Sequence, residues 1–155
     1  MNGNDISFTK VALLYGWMGN MAPYPIEYEG KKWQTTEALF QALRFESDEI
    51  KELIRGEKSP MAAKMKAKKY ASSRVVEPFS AGDVENMKRC VGLKIQQHPR
   101  LKMWLLETGD RIIYEDIGKR KKKTDFFWGA KRVDGFWEGE NTMGKIWMEY
   151  REKLK

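Results

Sequence analysis

Glu37, Gln41 and Arg44 stand at positions i, i+4 and i+7 of the segment TTEALFQALRF, residues 35–45. On a helix such spacings align side chains along one strip. Leu39, Phe40 and Leu43 fall on the adjoining apolar side. A carboxylate, a carboxamide and a guanidinium within reach of one ligand can accept bonds from sugar hydroxyls, move a proton and hold a phosphate. Glu37 also falls in the first helical turn, where the macrodipole favours an ionised carboxylate. The same spacing equally describes a surface Glu-Gln-Arg ladder that stabilises its helix by a few tenths of a kcal/mol per pair. Periodicity leaves both readings open.

Lys94 raises a similar choice. In the helix expected from residue 84 to 98, Val84, Met87, Cys90, Val91 and Ile95 share one side, and Lys94 projects among them. Such a lysine either snorkels its ammonium to the edge or is held in a cleft. In a cleft, desolvation lowers its pKa and frees the amine to attack an aldehydic sugar carbon as a Schiff-base nucleophile. His98, one turn on, is the only histidine. With no second imidazole to share a metal it reads as a helix-end residue, and neither a metal nor another cofactor is expected.

Further candidates surround these two. Asn20, in the Gly/Pro-rich stretch from Gly16 to Pro25, supplies a turn or reads a sugar hydroxyl or amide. Trp33, Phe40, Phe79 and Trp128 are aromatic faces that either stack a base or fill the core. Glu115 and Asp125 suit carboxylates projecting from element ends into a cleft, and equally suit plain solvent exposure. Lys64 and Lys68 could neutralise phosphate. The chain holds no Walker loop, GxGxxG, CxxC or HExxH, so the common nucleotide and metal signatures are missing.

The elements that must position these residues follow from local signals. ISFT near the N-terminus is expected to be a short strand, and IEYEGKKW a hairpin turning at Glu29-Gly30. Thr35 or Thr36 caps the first helix. Ser47 opens a second helix that stops at Gly56, and Ser59-Pro60 opens a third with Met61, Ala62 and Met65 on one side. Residues 72–82 read as loop, Asp83 as the cap of the Lys94 helix, and Pro99 as the start of a helix ending at Gly109. RIIYE, 111–115, is strand-like; KRKKK, 119–123, is an exposed loop; DFFWG, 125–129, is apolar. Asn141 or Thr142 caps a last helix with Met143, Ile146, Trp147, Tyr150 and Leu154 at helical spacing. The expected fold is mainly helical α+β with a few short strands, a single domain over 1–155.

Composition bounds the rest. The 155 residues, 41% hydrophobic and 12% aromatic, suit one folded domain. A lone cysteine, Cys90, excludes an intrachain disulfide and makes a cytoplasmic setting the expectation. No signal peptide is expected, and no apolar run nears the roughly 18 residues of a membrane span. The net charge of +7 points to an anionic partner, a phosphorylated small molecule or a nucleic acid, or else to a lysine-rich solvated surface.

Seven segments in order, GNMAPYPI, GKKWQTTEALFQALRF, KSPMAAKM, GLKIQQHPRL, LLETGDRIIYED, TDFFWGA and GENTMGKIWMEYREKL, resemble the NADAR family with its YbiA-like N-glycosidases. The resemblance covers nearly the whole chain. It implies hydrolysis of a ribosyl N-glycosidic bond, in early phosphoribosylated intermediates of riboflavin synthesis or in ADP-ribose attached to guanine, and a link to NAD metabolism. Carried over by motif, Glu37 matches the family's xSExxFQxxKF glutamate and Lys94 the lysine of its KFxQ segment. Asn20, Trp33, Phe40, Gln41 and Glu115 also match, as do Asp125, Trp128 and Gly129 of the DxxWG segment and Asn141 and Gly144 of NxLG. The departures are Gly19 and Met21 around Asn20, Arg44 for a lysine, Phe79 for a tryptophan, Ile95 for a phenylalanine, and Ala-Lys after DFFWG.

From the resemblance and the residues together, Glu37, Gln41 and Arg44 are expected to line a ribose-phosphate cleft facing Lys94 and the Asp125–Trp128 segment. Glu37 or Asp125 would stabilise the charge that develops on the ribose. Water attack and a Lys94 Schiff base both remain possible routes. The rival readings are a module that binds ADP-ribose or nucleic acid without catalysis, and a purely structural basic domain.

Overall fold

The computed structural model describes residues 4–155. The chain forms two compact units, one built from Asn20–His98 and the other from the chain on either side of it.

In the Asn20–His98 unit, β2 (Ile26–Tyr28) and β3 (Lys31–Trp33) form the expected antiparallel hairpin, with Ile26 opposite Trp33. Glu29 and Gly30 turn it with φ of 50° and 78°, the consecutive left-handed pair that a two-residue hairpin loop demands. The first helix, α1 (Thr36–Ala42), starts at Thr35, whose hydroxyl accepts from the Ala38 N–H at 3.2 Å. Every residue of α1 is buried, because α2 (Asp48–Arg55), α3 (Pro60–Lys69), α4 (Ala81–Gln97) and β3 all pack on it. A helix enclosed on all sides has no surface ladder, so its polar residues are interior ones.

Ser47 and Ser59 cap α2 and α3 as expected. The packed side of α3 differs from expectation: Ala63 and Ala67 are buried, while Met61 and Met65 are exposed. Two alanines in register fill the narrow space beside an enclosed helix. The cap of α4 differs too. Ser80 accepts the Asp83 N–H at 3.2 Å, so the helix begins three residues earlier and Asp83 lies inside its first turn.

In the other unit, β1 (Ile6–Phe8) pairs in parallel with β4 (Ile113–Glu115), Ile6 opposite Ile113. The strand starts at Ile113 rather than at Arg111. The 3-10 turn Gly16–Met18 precedes the chain's excursion into the first unit, and α5 (Pro99–Glu107) follows it. DFFWG forms most of α6 (Lys123–Trp128). β5 (Lys131–Val133) and β6 (Phe136–Glu138) make a hairpin around Asp134-Gly135. The final helix, α7 (Thr142–Leu154), packs on β4. A side chain at Gly144 would strike the Ile113 carbonyl at 2.2 Å, which is why glycine stands where α7 approaches the strand. Trp147 is fully buried; its indole N–H donates to the Met18 carbonyl at 3.2 Å and Trp17 meets it edge-on. Together these elements are mainly helical α+β.

Candidate active site

α1 and α4 carry the two groups whose chemistry is unusual for an interior, and Asn20 ties both helices to the turn before β2. The Asn20 carbonyl accepts the Glu37 N–H at 3.1 Å. Its side-chain oxygen lies 2.9 Å from the Thr36 hydroxyl, and its amide NH2 approaches the Met87 sulfur of α4 at 3.0 Å. Asn20 thus anchors the turn to the start of α1 and the middle of α4.

Glu37 is 8% exposed. Its Oε1 accepts the Gln41 amide at 2.9 Å, the i, i+4 contact that the spacing foretold. Burial raises its pKa above the ordinary carboxylate value, opposed by the Gln41 hydrogen bond and by the charges of Lys64 and Arg44. Burial thus favours the protonated form, and a carboxyl so held can give as well as take a proton.

Arg44 follows the strip but is committed elsewhere. Its Nε and Nη2 donate to the two oxygens of Asp83, each at 2.8 Å, a bidentate pair sealed from solvent. The guanidinium also lies 4.6 Å over the Phe40 ring. Asp83 accepts in addition from the Phe79 N–H at 3.0 Å, which fixes Phe79 at a φ of 69°. Asp83 was thus legible only as a helix cap, and its tie to Arg44, 39 residues away, carries no local signal. The phosphate-holding role expected of Arg44 leaves out this tie; Lys64, exposed on α3 and close enough to act on Glu37, is free of that constraint.

Lys94 does not snorkel. Its relative exposure is 0%, with Nζ 5.3 Å from the centroid of the Tyr24 ring. Burial lowers its pKa to about 7, so much of it is a neutral amine at neutral pH. Tyr24 meets the His98 ring edge-on, and His98 Nε2 lies 2.6 Å from the Pro25 carbonyl. The histidine is therefore a helix-end clasp on the turn that covers Lys94. Tyr24 was missed by the sequence reading, since a tyrosine between two prolines looks like turn punctuation. Cys90, one turn before Lys94, is also shut away, and burial pushes its thiol far up. It is no thiolate nucleophile. Trp33 and Phe40 are buried, and Phe79 is half-buried.

The remaining candidates lie in the other unit and form a cluster of their own. Glu115 and Asp125 both face Arg120, at 3.9 and 3.6 Å. Asp125 also accepts the Lys122 N–H at 3.0 Å, closing the first turn of α6. Trp128 is buried next to Phe127, which it meets edge-on. Gly129 fits tightly against the Glu115 carbonyl, where a side chain would come within 2.6 Å. Asn141 occupies the first position before α7 but does not cap it. Its side chain instead accepts the Glu115 N–H at 3.0 Å and donates to the Ile113 carbonyl at 2.8 Å, binding β4 to α7. Among the described residues no three His, Cys, Asp or Glu side chains are grouped to hold a metal ion, and no helix is long and apolar enough to cross a membrane.

The chain is similar to known proteins along nearly its whole length. The NADAR domain family model matches residues 7–155. N-glycosidase YbiA of Escherichia coli (strain K12) is 30% identical over 99% of this chain and 91% of its own length. N-glycosidase Npun_R5314 of Nostoc punctiforme is 28% identical over 97% and 92%. Riboflavin biosynthesis protein VVA0006 of Vibrio vulnificus is 30% identical over 91% of this chain, which spans 36% of that longer protein. The NMR structure of E. coli YbiA superposes with a TM-score of 0.81 at 30% identity, over 99% of this chain and 86% of that one.

Proposed function

Since the chain belongs to the NADAR family, we propose that it is an N-glycosidase, a hydrolase that breaks the bond between a ribosyl C1 and a base nitrogen. The observation that carries this reading is the pair of interior groups on adjoining helices: a carboxyl whose pKa burial has raised and an amine whose pKa burial has lowered. Environments that push two titratable groups toward neutrality from opposite sides are typical of acid–base sites.

Two routes conserve atoms and charge. In one, water held by Glu37 adds to C1 as the base departs with the bonding pair and takes up a proton. In the other, the ribose ring opens and the Lys94 amine adds to C1 as the base nitrogen leaves with a proton. Water then hydrolyses the resulting lysine imine to the aldehyde and free amine. We favour the imine route, because it uses the neutral amine that burial supplies at Lys94. Its Nζ is covered by Tyr24, so the Tyr24 turn must swing aside for the sugar to enter. Asn20 and Gln41 are assigned to sugar hydroxyls and Lys64 to phosphate; Asp125, engaged by Arg120 and the α6 turn, is left out of the chemistry.

Two substrate classes fit, ADP-ribosylated guanine in nucleic acid and a phosphoribosylated intermediate of riboflavin synthesis. The net charge of +7 favours the first; the name of the Vibrio vulnificus relative favours the second. Parallel incubation with both, reading released base by mass spectrometry, tests the activity and chooses between them. Borohydride added during turnover should leave a covalent sugar adduct on Lys94. Turnover without any adduct selects water attack. Salt-dependent binding with no base released from either substrate would instead support a non-catalytic module.

A further inference from the structure

Arg74 is held beside the Arg44–Asp83 pair by its backbone. It bridges Phe45 in an antiparallel pair, and the N–H groups of Val75 and Val76 both donate to the Arg44 carbonyl, at 2.8 and 3.3 Å. Its side chain is half-buried, and its Nε is closed off from solvent with no hydrogen-bond acceptor among the described residues. Asp83 offers it little. One carboxylate oxygen takes Arg44 Nε, and the other takes both Arg44 Nη2 and the Phe79 N–H. Glu77, the other acidic group within electrostatic range, is exposed. Two guanidinium groups therefore share one carboxylate that already accepts three hydrogen bonds, and burial and the charge of Arg44 both disfavour the Arg74 cation. A half-buried guanidinium beside a second one is stabilised when an anion joins it.

We propose that Arg74, next to the Arg44–Asp83 pair, is an anion subsite for a substrate phosphate remote from the ribose carbon where cleavage occurs. The identity of that phosphate rests on the N-glycosidase reading above. Glu37 lies in the first turn of α1 and Arg44 in the turn just past its end, a separation on the order of 10 Å along the chain axis. A phosphate on the reacting ribose itself lies closer, by Lys64. A phosphate at the far end of the strip belongs to a longer ligand, one bridged by a pyrophosphate. Arginine suits such a site because its planar fork bonds phosphate oxygens in pairs.

The test is calorimetric binding of ADP-ribose and of ribose 5-phosphate to the full chain, wild type, R74A and R74K. The expected result is that R74A weakens ADP-ribose about tenfold or more, R74K recovers part of the loss, and ribose 5-phosphate binds all three alike. Unchanged ADP-ribose affinity in R74A overturns the subsite, as does an equal loss for both ligands, or wild type binding ADP-ribose no tighter than ribose 5-phosphate. Removing a surplus cation should leave the melting temperature of R74A unchanged or raised, so a folding defect would count against the proposal too. ADP-ribose bound through Arg74 in a protein that releases no base would sustain the subsite while refuting the glycosidase reading.

Discussion

At the scale of single residues, Glu37, Arg44 and Lys94 show that a polar side chain on an enclosed helix needs a specific reason to be there. Arg44 has Asp83, and the pair is the easiest to test. Arg44→Ala leaves a buried carboxylate without its cation and should lower stability by about 3–5 kcal/mol in urea unfolding. The double variant Arg44→Leu, Asp83→Leu removes both charges and should cost much less. An Arg44→Ala variant as stable as wild type would show that Asp83 does not depend on this partner. Glu37 and Lys94 are the residues assigned to the chemistry. Glu37→Gln keeps the Gln41 contact, and Lys94→Met keeps the apolar stem; both should fold. Each should lower base release at least about a hundredfold, the usual worth of a positioned acid, base or nucleophile. Full activity in either variant would remove that residue from the chemistry.

Helices and strands were legible where their signals are local. Ser47, Ser59-Pro60 and the Met143–Leu154 stripe mark α2, α3 and α7, because caps and periodicity act within a turn or two. Long-range partnership stayed hidden. Asp83 looks like a cap because acids favour a helix start, and Asn141 for the same reason; their real partners lie 39 and 26–28 residues away. Whether Glu37 sat on a surface or in a site depended on three other helices closing over α1, which no window of sequence contains. The Asp134-Gly135 hairpin was readable, since Asp-Gly is a strong turn signal, and was missed among charged and aromatic neighbours. Lys94 gives α4 a pH signature. Its folded pKa of about 7 lies below the ordinary lysine value. Between pH 7 and about 10 the unfolded chain therefore binds more protons, and stability rises with pH. Unfolding of wild type and Lys94→Met at pH 7 and pH 9 should show wild type gaining about 2 kcal/mol relative to the variant. A parallel pH response would mean that the amine titrates normally.

Across the whole molecule the decisive quantity is charge. The surplus of +7 includes the run Lys119–Lys123, exposed throughout. A lysine-rich face has a measurable consequence only if its partner is a polyanion. Each phosphate neutralised on a nucleic acid releases condensed counterions, so affinity falls steeply with salt, whereas a ligand with one or two phosphates meets ordinary screening. If ADP-ribosylated nucleic acid is the substrate and two or so flanking phosphates are engaged, KM should rise about tenfold between 50 and 200 mM salt. Replacing Lys119, Lys121, Lys122 and Lys123 by alanine should flatten that slope, because the contacts that release counterions are gone. A phosphoribosylated small molecule should give a shallow slope in both proteins. KM for the nucleic-acid substrate that stays level with salt in wild type would detach the basic run from substrate capture and move the balance to the small molecule, leaving the Glu37–Lys94 chemistry untouched.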